Sequence, residues 1–175
     1  MTQQLIHCEF TKHADAILEI FNDAIATSTA LYDYHPRTKE SMKPWFDAKQ
    51  AGNFPVIGIE DEAGKLLGFA SYGTFRNWPA YKYSVEHSIY IHKDCRGMGL
   101  GKVLLKAIIQ AAKDNGMHVM IGGIDCDNQG SIALHEKFGF KHAGTLPQIG
   151  FKFGRWLDLA FYQLTFDTPT QPVDG

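Results

Sequence analysis

The sequence predicts an α/β fold, a sandwich of helices around a mixed sheet. Three observations carry that expectation. Segments with strand and helix periodicity follow one another in the order β-α-α-β-β-β-α-β-α-β-β. The 175 residues are 45% apolar and 21% charged, which suits one compact core. No internal repeat or linker interrupts the order. Residues 1–166 therefore read as a single domain, and 167–175, with two prolines and little apolar content, as a loose tail.

Leu5 to Phe10 reads as the first strand, and Thr11 as the cap of the helix after it. Ile17, Leu18, Ile20, Phe21, Ala24 and Ile25 form one apolar stripe at helical spacing. A polar, aromatic loop from Ser28 to Pro36 follows. A short helix from about Thr38 to Ala51 stops at Gly52, and Pro44 moves its start towards Met42. Phe54 to Glu60 and Lys65 to Phe75 make a hairpin around Asp61-Glu62-Ala63-Gly64. Strong strand formers run from Tyr83 to Ile91. The next helix reaches about Asn115 with Val103, Leu104, Ala107, Ile108 and Ala111 inward, and Gly116 ends it. His118 to Cys126 is a strand, Asn128 to Phe138 a helix, and Lys141 to Gly150 and Trp156 to Phe166 are the last two strands.

Lys plus Arg number 17 against 19 Asp plus Glu, a net charge of −2, which argues against nucleic acid or an anionic membrane as the main partner. No apolar run approaches the length of about 18 residues that a membrane helix needs. The N-terminus has no basic stretch followed by an apolar one. Cys8, Cys95 and Cys126 are far apart and odd in number, as expected of reduced thiols in a cytoplasmic protein. His135-Glu136 begins a zincin-like pattern, but Gly139 stands where the second His would fall. No metal is expected.

The most informative segment is Arg96-Gly97-Met98-Gly99-Leu100-Gly101-Lys102, between a strand and a helix. Alternate glycines turn the backbone tightly and aim several N–H groups into one concavity, and the helix N-terminus behind it favours an anion. Arg96 and Lys102 add local charge. A P-loop is excluded, since Arg96 occupies its first glycine position and Val103 that of its magnesium-binding hydroxyl. A dinucleotide fingerprint is excluded by Lys102 in place of its third glycine. A glycine-rich turn that merely joins strand to helix is the plain alternative.

The spacing of Arg96, Gly99 and Gly101 resembles the acyl-CoA pyrophosphate loop of GNAT superfamily N-acetyltransferases. Asn128-x-x-Ser131-x-x-x-His135-Glu136-Lys137-Phe138-Gly139-Phe140 resembles the second signature of that superfamily. Ser28-Thr29-Ala30, Tyr83 to Ile91 and Phe151 to Asp158 are similar to the phosphinothricin and methionine-sulfoximine acetyltransferases. The resemblance implies a GNAT-like, mostly antiparallel mixed sheet with helices on both faces. It also implies acetyl-CoA as co-substrate, held by Arg96 to Lys102, Asn128 and Ser131, and a homodimer acting on a small glutamate-like amino acid.

Acetyl transfer to an amine needs a base, donors for the oxyanion and a proton for the departing thiolate. Strand alternation puts Glu86, Ser88 and Tyr90 on one face of their strand and Val85, His87, Ile89 and Ile91 on the other. On residues alone, Glu86 reads most simply as a solvated or salt-bridged carboxylate; the resemblance makes it the general base. Backbone N–H groups around Ile89, Tyr90 and Ile91 would meet the thioester oxygen and pantetheine, with Gly122 and Gly123 weakening regular pairing beside them. His135 stands where many superfamily members have a tyrosine that protonates the thiolate; a helix-face histidine bonded to backbone is the alternative. For a substrate carboxylate, Arg76 is the first candidate cation, with Lys82 and Arg155 behind it. Tyr32, Trp78 and Tyr81 are candidate pocket walls, and Val85 and His87 candidate substrate contacts. Cys95 and Cys126 are not expected to carry the acyl group. The rival functions are acetylation of a protein, peptide or other small amine, and a non-catalytic acyl-CoA-binding module.

Overall fold

The computed structural model describes residues 2–175. Its strands are β1 (Gln4–His7), β2 (Val56–Glu60), β3 (Leu66–Thr74), β4 (Ser84–Ile91), β5 (Val119–Asp125), β6 (Lys141–Lys152) and β7 (Arg155–Thr165). Its α-helices are α1 (Phe10–Thr27), α2 (Met42–Ala51), α3 (Leu100–Asp114) and α4 (Gln129–Lys137). The expected element order holds throughout. The strands form one sheet in the order β1-β2-β3-β4-β5-β7-β6. The pairs β1–β2, β2–β3, β5–β7 and β6–β7 are antiparallel, and β4–β5 is parallel. The chain divides into two units: residues 1–73 with 88–108, and residues 74–87 with 109–175.

In the first unit, α1 lays Ala14, Ile17, Ile20, Phe21 and Ala24 into a core with Met42, Val56, Leu66, Phe69 and Tyr90. Phe21 is its hub, meeting Phe69, Tyr90 and Trp45 edge-on at 5.1, 5.3 and 5.4 Å between ring centroids. Each such fully buried side chain contributes roughly 1.5–3 kcal/mol. The cap of α1 differs from the expected Thr11. Glu9 is the N-cap, its amide donates to His13 Nδ1 at 2.7 Å, and His13 Nε2 meets buried Glu60 at 2.9 Å. A histidine one turn into the helix thus supplies the acceptor, because it is also anchored by a carboxylate from β2. In α2, Pro44 falls in the first turn, where its missing N–H costs little, and Gly52 ends the helix as expected.

Buried Leu100, Leu104, Leu105, Ile108 and Ala112 give α3 its inward stripe. Val103, expected inward, is 40% exposed, because the stripe is one position out of phase with it.

In the second unit, β5 pairs with β7 from Val119↔Thr165 to Asp125↔Leu159 without a break. Val85, Met120, Ile124, Phe140, Leu157, Ala160, Tyr162 and Phe166 are buried there. The segment 167–175 has no helix or strand and is exposed from residue 170, yet it is fastened. His118 Nδ1 meets the Thr168 carbonyl at 2.8 Å, and the Tyr83 hydroxyl bonds both backbone polar groups of Val173, at 3.1 and 3.3 Å.

Candidate active site

The chemistry in the second unit starts from β4. Its ladder with β5 runs Ser84↔Val119, Val85↔Met120 and Glu86↔Ile121. Val85 and His87 are buried, whereas Glu86 is partly exposed on the other face of the strand. A Cβ on the exposed Gly123 would lie 3.1 Å from Glu86 Oε1, so the carboxylate rests against bare backbone of the neighbouring strand. Burial pushes the Glu86 carboxyl above the usual carboxylate range, and the Arg76 guanidinium opposes that shift. A carboxylate raised by burial and kept open to solvent on one side is suited to take a proton near neutrality.

Arg76 is oriented by its own strand end. Its Nη1 donates to the Phe75 carbonyl at 2.7 Å and its guanidinium lies 4.3 Å from the centroid of the Phe75 ring. The same ring meets Tyr81 and Phe161 edge-on at 5.8 and 6.1 Å. The expected cation and one expected wall, Tyr81, therefore share an aromatic platform with Phe161, a residue the sequence did not single out. Trp78 is 74% exposed at the head of the short turn Pro79–Tyr81.

Two expected substrate contacts are corrected. Val85 is 1% exposed and offers no surface to a substrate. His87 is also buried, and both its ring nitrogens are engaged, Nδ1 with the Ile121 carbonyl at 3.0 Å and Nε2 with His135 Nε2 at 2.9 Å. His135 is held equally, its Nδ1 2.6 Å from the Ser131 carbonyl, so it can reach a thiolate only by exchanging a partner. Burial lowers the affinity of both rings for a proton; for His87 the value falls to about 3, with the charge of His135 a second cause. Asn128 is the N-cap of α4, its Oδ1 accepting from the Ser131 amide at 3.1 Å. The β4–β5 ladder stops at Glu86↔Ile121, just before Gly122, in line with the expected weakening beside β4, while on their other side Gly122 and Gly123 pair regularly with Tyr162 and Phe161. What they provide is room on either face, for the histidine rings at Gly122 and for the carboxylate at Gly123.

The glycine loop belongs to the first unit. Gly97 and Gly99 have φ of 79° and 78°, with nothing within 4 Å of a Cβ placed on either. They are required for conformation, not for space. Residues 96–99 are exposed, and α3 begins at Leu100, so Gly101 and Lys102 lie in its first turn, and the Lys102 amide turns back to the Gly99 carbonyl at 3.2 Å. Arg96 Nη2 donates to Asp23 of α1 at 2.6 Å. Tyr90 is in the aromatic core, which leaves only its backbone for the expected role, while Ile89 and Ile91 are partly exposed. Tyr32 is 39% exposed in the loop after α1.

Lys49 was not singled out by the sequence reading. Its Nζ donates to the Tyr72 carbonyl at 2.9 Å and lies 5.4 Å from the Trp45 ring. Burial, and then the charge of Arg37, bring it down to about 8. The i, i+4 spacing of Trp45 and Lys49 was the available signal. Burial and Glu60 push the Cys8 thiol up to about 12, burial followed by Asp158 raises that of Cys126, and Cys95 is buried.

The chain is similar to the L-methionine sulfoximine/L-methionine sulfone acetyltransferase of Pseudomonas paraeruginosa, 45% identical over 89% of this chain and 90% of that protein. It is similar to a solved N-acetyltransferase of Staphylococcus aureus Mu50, with 45% identity, a TM-score of 0.91 and coverage of 94% of this chain and 99% of the other. A GNAT superfamily phosphinothricin acetyltransferase of Sinorhizobium meliloti, solved in complex with AcCoA, matches with 33% identity and a TM-score of 0.93 over 100% of this chain and 95% of that one. The profile of the Acetyltransferase (GNAT) family matches residues 15–140. With the strand order and glycine loop described above, these matches place the chain in the GNAT acetyltransferase family, as an enzyme of that family.

Proposed function

We propose that this acetyltransferase moves the acetyl group of acetyl-CoA to the amine of a small glutamate-like amino acid, such as methionine sulfoximine, methionine sulfone or phosphinothricin, by direct attack. The observation that carries the reading is the Glu86 carboxyl, raised by burial and laid against Gly123 with Arg76 acting on it. The names of the similar proteins support the substrate class. Glu86 takes the amine proton, the nitrogen bonds to the thioester carbon, and the C–S bond breaks to leave the CoA thiolate. Arg76 receives the substrate carboxylate, with Tyr81 and Trp78 of the same unit as walls.

The Arg96–Lys102 loop fits a pyrophosphate, because two left-handed glycines in an exposed turn lead into the N-terminus of α3 beside Arg96 and Lys102. The backbone of Ile89 to Ile91, in the same unit as the loop, would receive the pantetheine arm and thioester. The Cys126 thiol, shifted away from thiolate by burial and Asp158, favours direct transfer. Cys126→Ala is expected to leave turnover within a few-fold, and loss of turnover with a detectable acyl-enzyme in the parent would overturn direct attack.

The reading is tested by following free thiol release from acetyl-CoA with phosphinothricin, methionine sulfoximine, methionine sulfone, glutamate, a polyamine and a short peptide. Turnover confined to the glutamate-like compounds supports it; turnover of the polyamine or peptide alone sinks the substrate class. Arg76→Gln removes the charge that holds Glu86 down, so the acid limb of kcat/KM is expected at higher pH. KM for the amino acid should rise with it. An unmoved limb would remove Arg76 from the site.

A homodimer is proposed from the exposed Ile149, Phe151, Phe153 and Trp156 on the β6–β7 hairpin. A cytoplasmic setting is proposed from three cysteines that form no disulfide among the described residues. No helix among those residues is long and apolar enough to cross a membrane.

A further inference from the structure

The two buried histidines behind Glu86 form a chain whose protons can be counted. His87 Nδ1 lies 3.0 Å from the Ile121 carbonyl, and His135 Nδ1 lies 2.6 Å from the Ser131 carbonyl. A carbonyl oxygen only accepts, so each Nδ1 carries a hydrogen. A neutral imidazole has one hydrogen, which leaves both Nε2 atoms as bare lone pairs. Yet these two atoms face each other at 2.9 Å, the distance of a hydrogen bond. Two neutral rings supply two protons for three contacts, and a third proton would complete the set.

We infer that His87 and His135 share one proton between their Nε2 atoms, and that this singly charged pair is the fastening that ends the β4–β5 ladder at Glu86. His87 is then a positioning residue for the base, not a substrate contact. The pair is walled by uncharged groups. On the β5 side it meets the Ile121 carbonyl and the Gly122 backbone, where a Cβ would come within 2.9 Å of His87 Cε1. On the α4 side the neighbours are the Ser131 carbonyl and hydroxyl, and the Phe140 ring follows at 5.5 Å from His87 and 5.1 Å from His135. Glu86, one residue before His87, lies on the opposite face of β4, against Gly123.

Burial disfavours charge on either ring, and the charge of His135 is a further cause of the low value of about 3 at His87. Burial weighs against the first proton as well as the second; the Nε2–H···Nε2 bond and the two carbonyl acceptors favour the first, and repulsion between the rings is added for the second. The pair titrates as one unit with one proton. When that proton leaves, two lone pairs confront each other and the contact must open. Opening loosens the strand segment that carries Glu86. Although this kinetic consequence rests on Glu86 as the base, the proton count does not.

The test is nitrogen NMR of the intact protein with labelled histidine, titrated between about pH 4 and 8. The expected result is one proton taken up jointly by the two rings, with a common midpoint and both Nδ1 atoms protonated. Independent midpoints, or no proton taken up by either ring, would overturn the inference whether or not the enzyme turns over. A second arm compares His135→Gln with His135→Phe. The Gln amide can donate to His87 Nε2 without a charge, so it should retain more kcat than Phe and lose the basic limb that the shared proton imposes. Equal kcat and equal pH profiles for the two variants would reduce the pair to packing.

Discussion

Glu86→Gln is expected to lower turnover by about a hundredfold or more, the usual share of a positioned base, while acetyl-CoA binding stays nearly unchanged. The same change should raise the unfolding temperature. Burial holds the folded Glu86 carboxyl above its unfolded value of about 4.5, so ionising it at neutral pH works against folding. The cost is present above the folded pKa and disappears as pH falls below the ordinary carboxylate value. Variant and parent should therefore differ in melting temperature at pH 7 and converge in acid, by about 2–4 °C for each kcal/mol relieved in a chain of this size. Full turnover in the Gln variant would remove Glu86 from the chemistry. Lower turnover with a lower melting temperature would mean that the carboxylate holds the fold together instead.

Gly123→Val separates the space around that carboxylate from the strand that supplies it. The first carbon of the new side chain falls 3.1 Å from Glu86 Oε1 and 3.4 Å from Leu159 Cδ1, and two methyl groups extend beyond it. Valine is a better strand former than glycine, and position 123 is exposed, so the β5–β7 ladder should hold or strengthen. Turnover should nevertheless fall by about a hundredfold, the scale of a misplacement of about 1 Å at a reacting group. Circular dichroism and melting check the first half, and thiol release the second. Wild-type turnover in a well-folded Val variant would show that no substrate approaches along this face.

The backbone architecture was legible because each element carries its own period and stop. Gly52 ended a helix, Asp61 to Gly64 turned a hairpin, and the order of elements held from β1 to β7. The glycine loop was legible from the spacing of its glycines before a helix, whereas Glu86 on residues alone read as a solvated or salt-bridged carboxylate and took its role only from the family resemblance. What the sequence hid depends on contacts across the fold. Nothing local says that His87, at an alternate position of a strand, meets a ring 48 residues away. Period-two alternation put Tyr90 on the face of Glu86, whereas the structure commits its ring to Phe21 and Phe69. Thr11 was the obvious cap by residue type, and His13 displaced it through a carboxylate on β2 that no window around α1 contains. Lys49 is perturbed by being buried, and burial is not a property of a short segment.

The contact between Arg96 and Asp23 sets a limit on how greedily the glycine loop can hold an anion. One of the Arg96 N–H groups already donates to a carboxylate from α1 at 2.6 Å. A phosphate arriving there gains only the difference between two partners, and Asp23 must be resolvated or share the same cation. Such an exchange weakens substrate and spent carrier alike. On the proposed reading the loop holds the pyrophosphate, a part common to acetyl-CoA and free CoA, so this restraint eases release of the spent carrier and leaves discrimination to the groups near the acyl end.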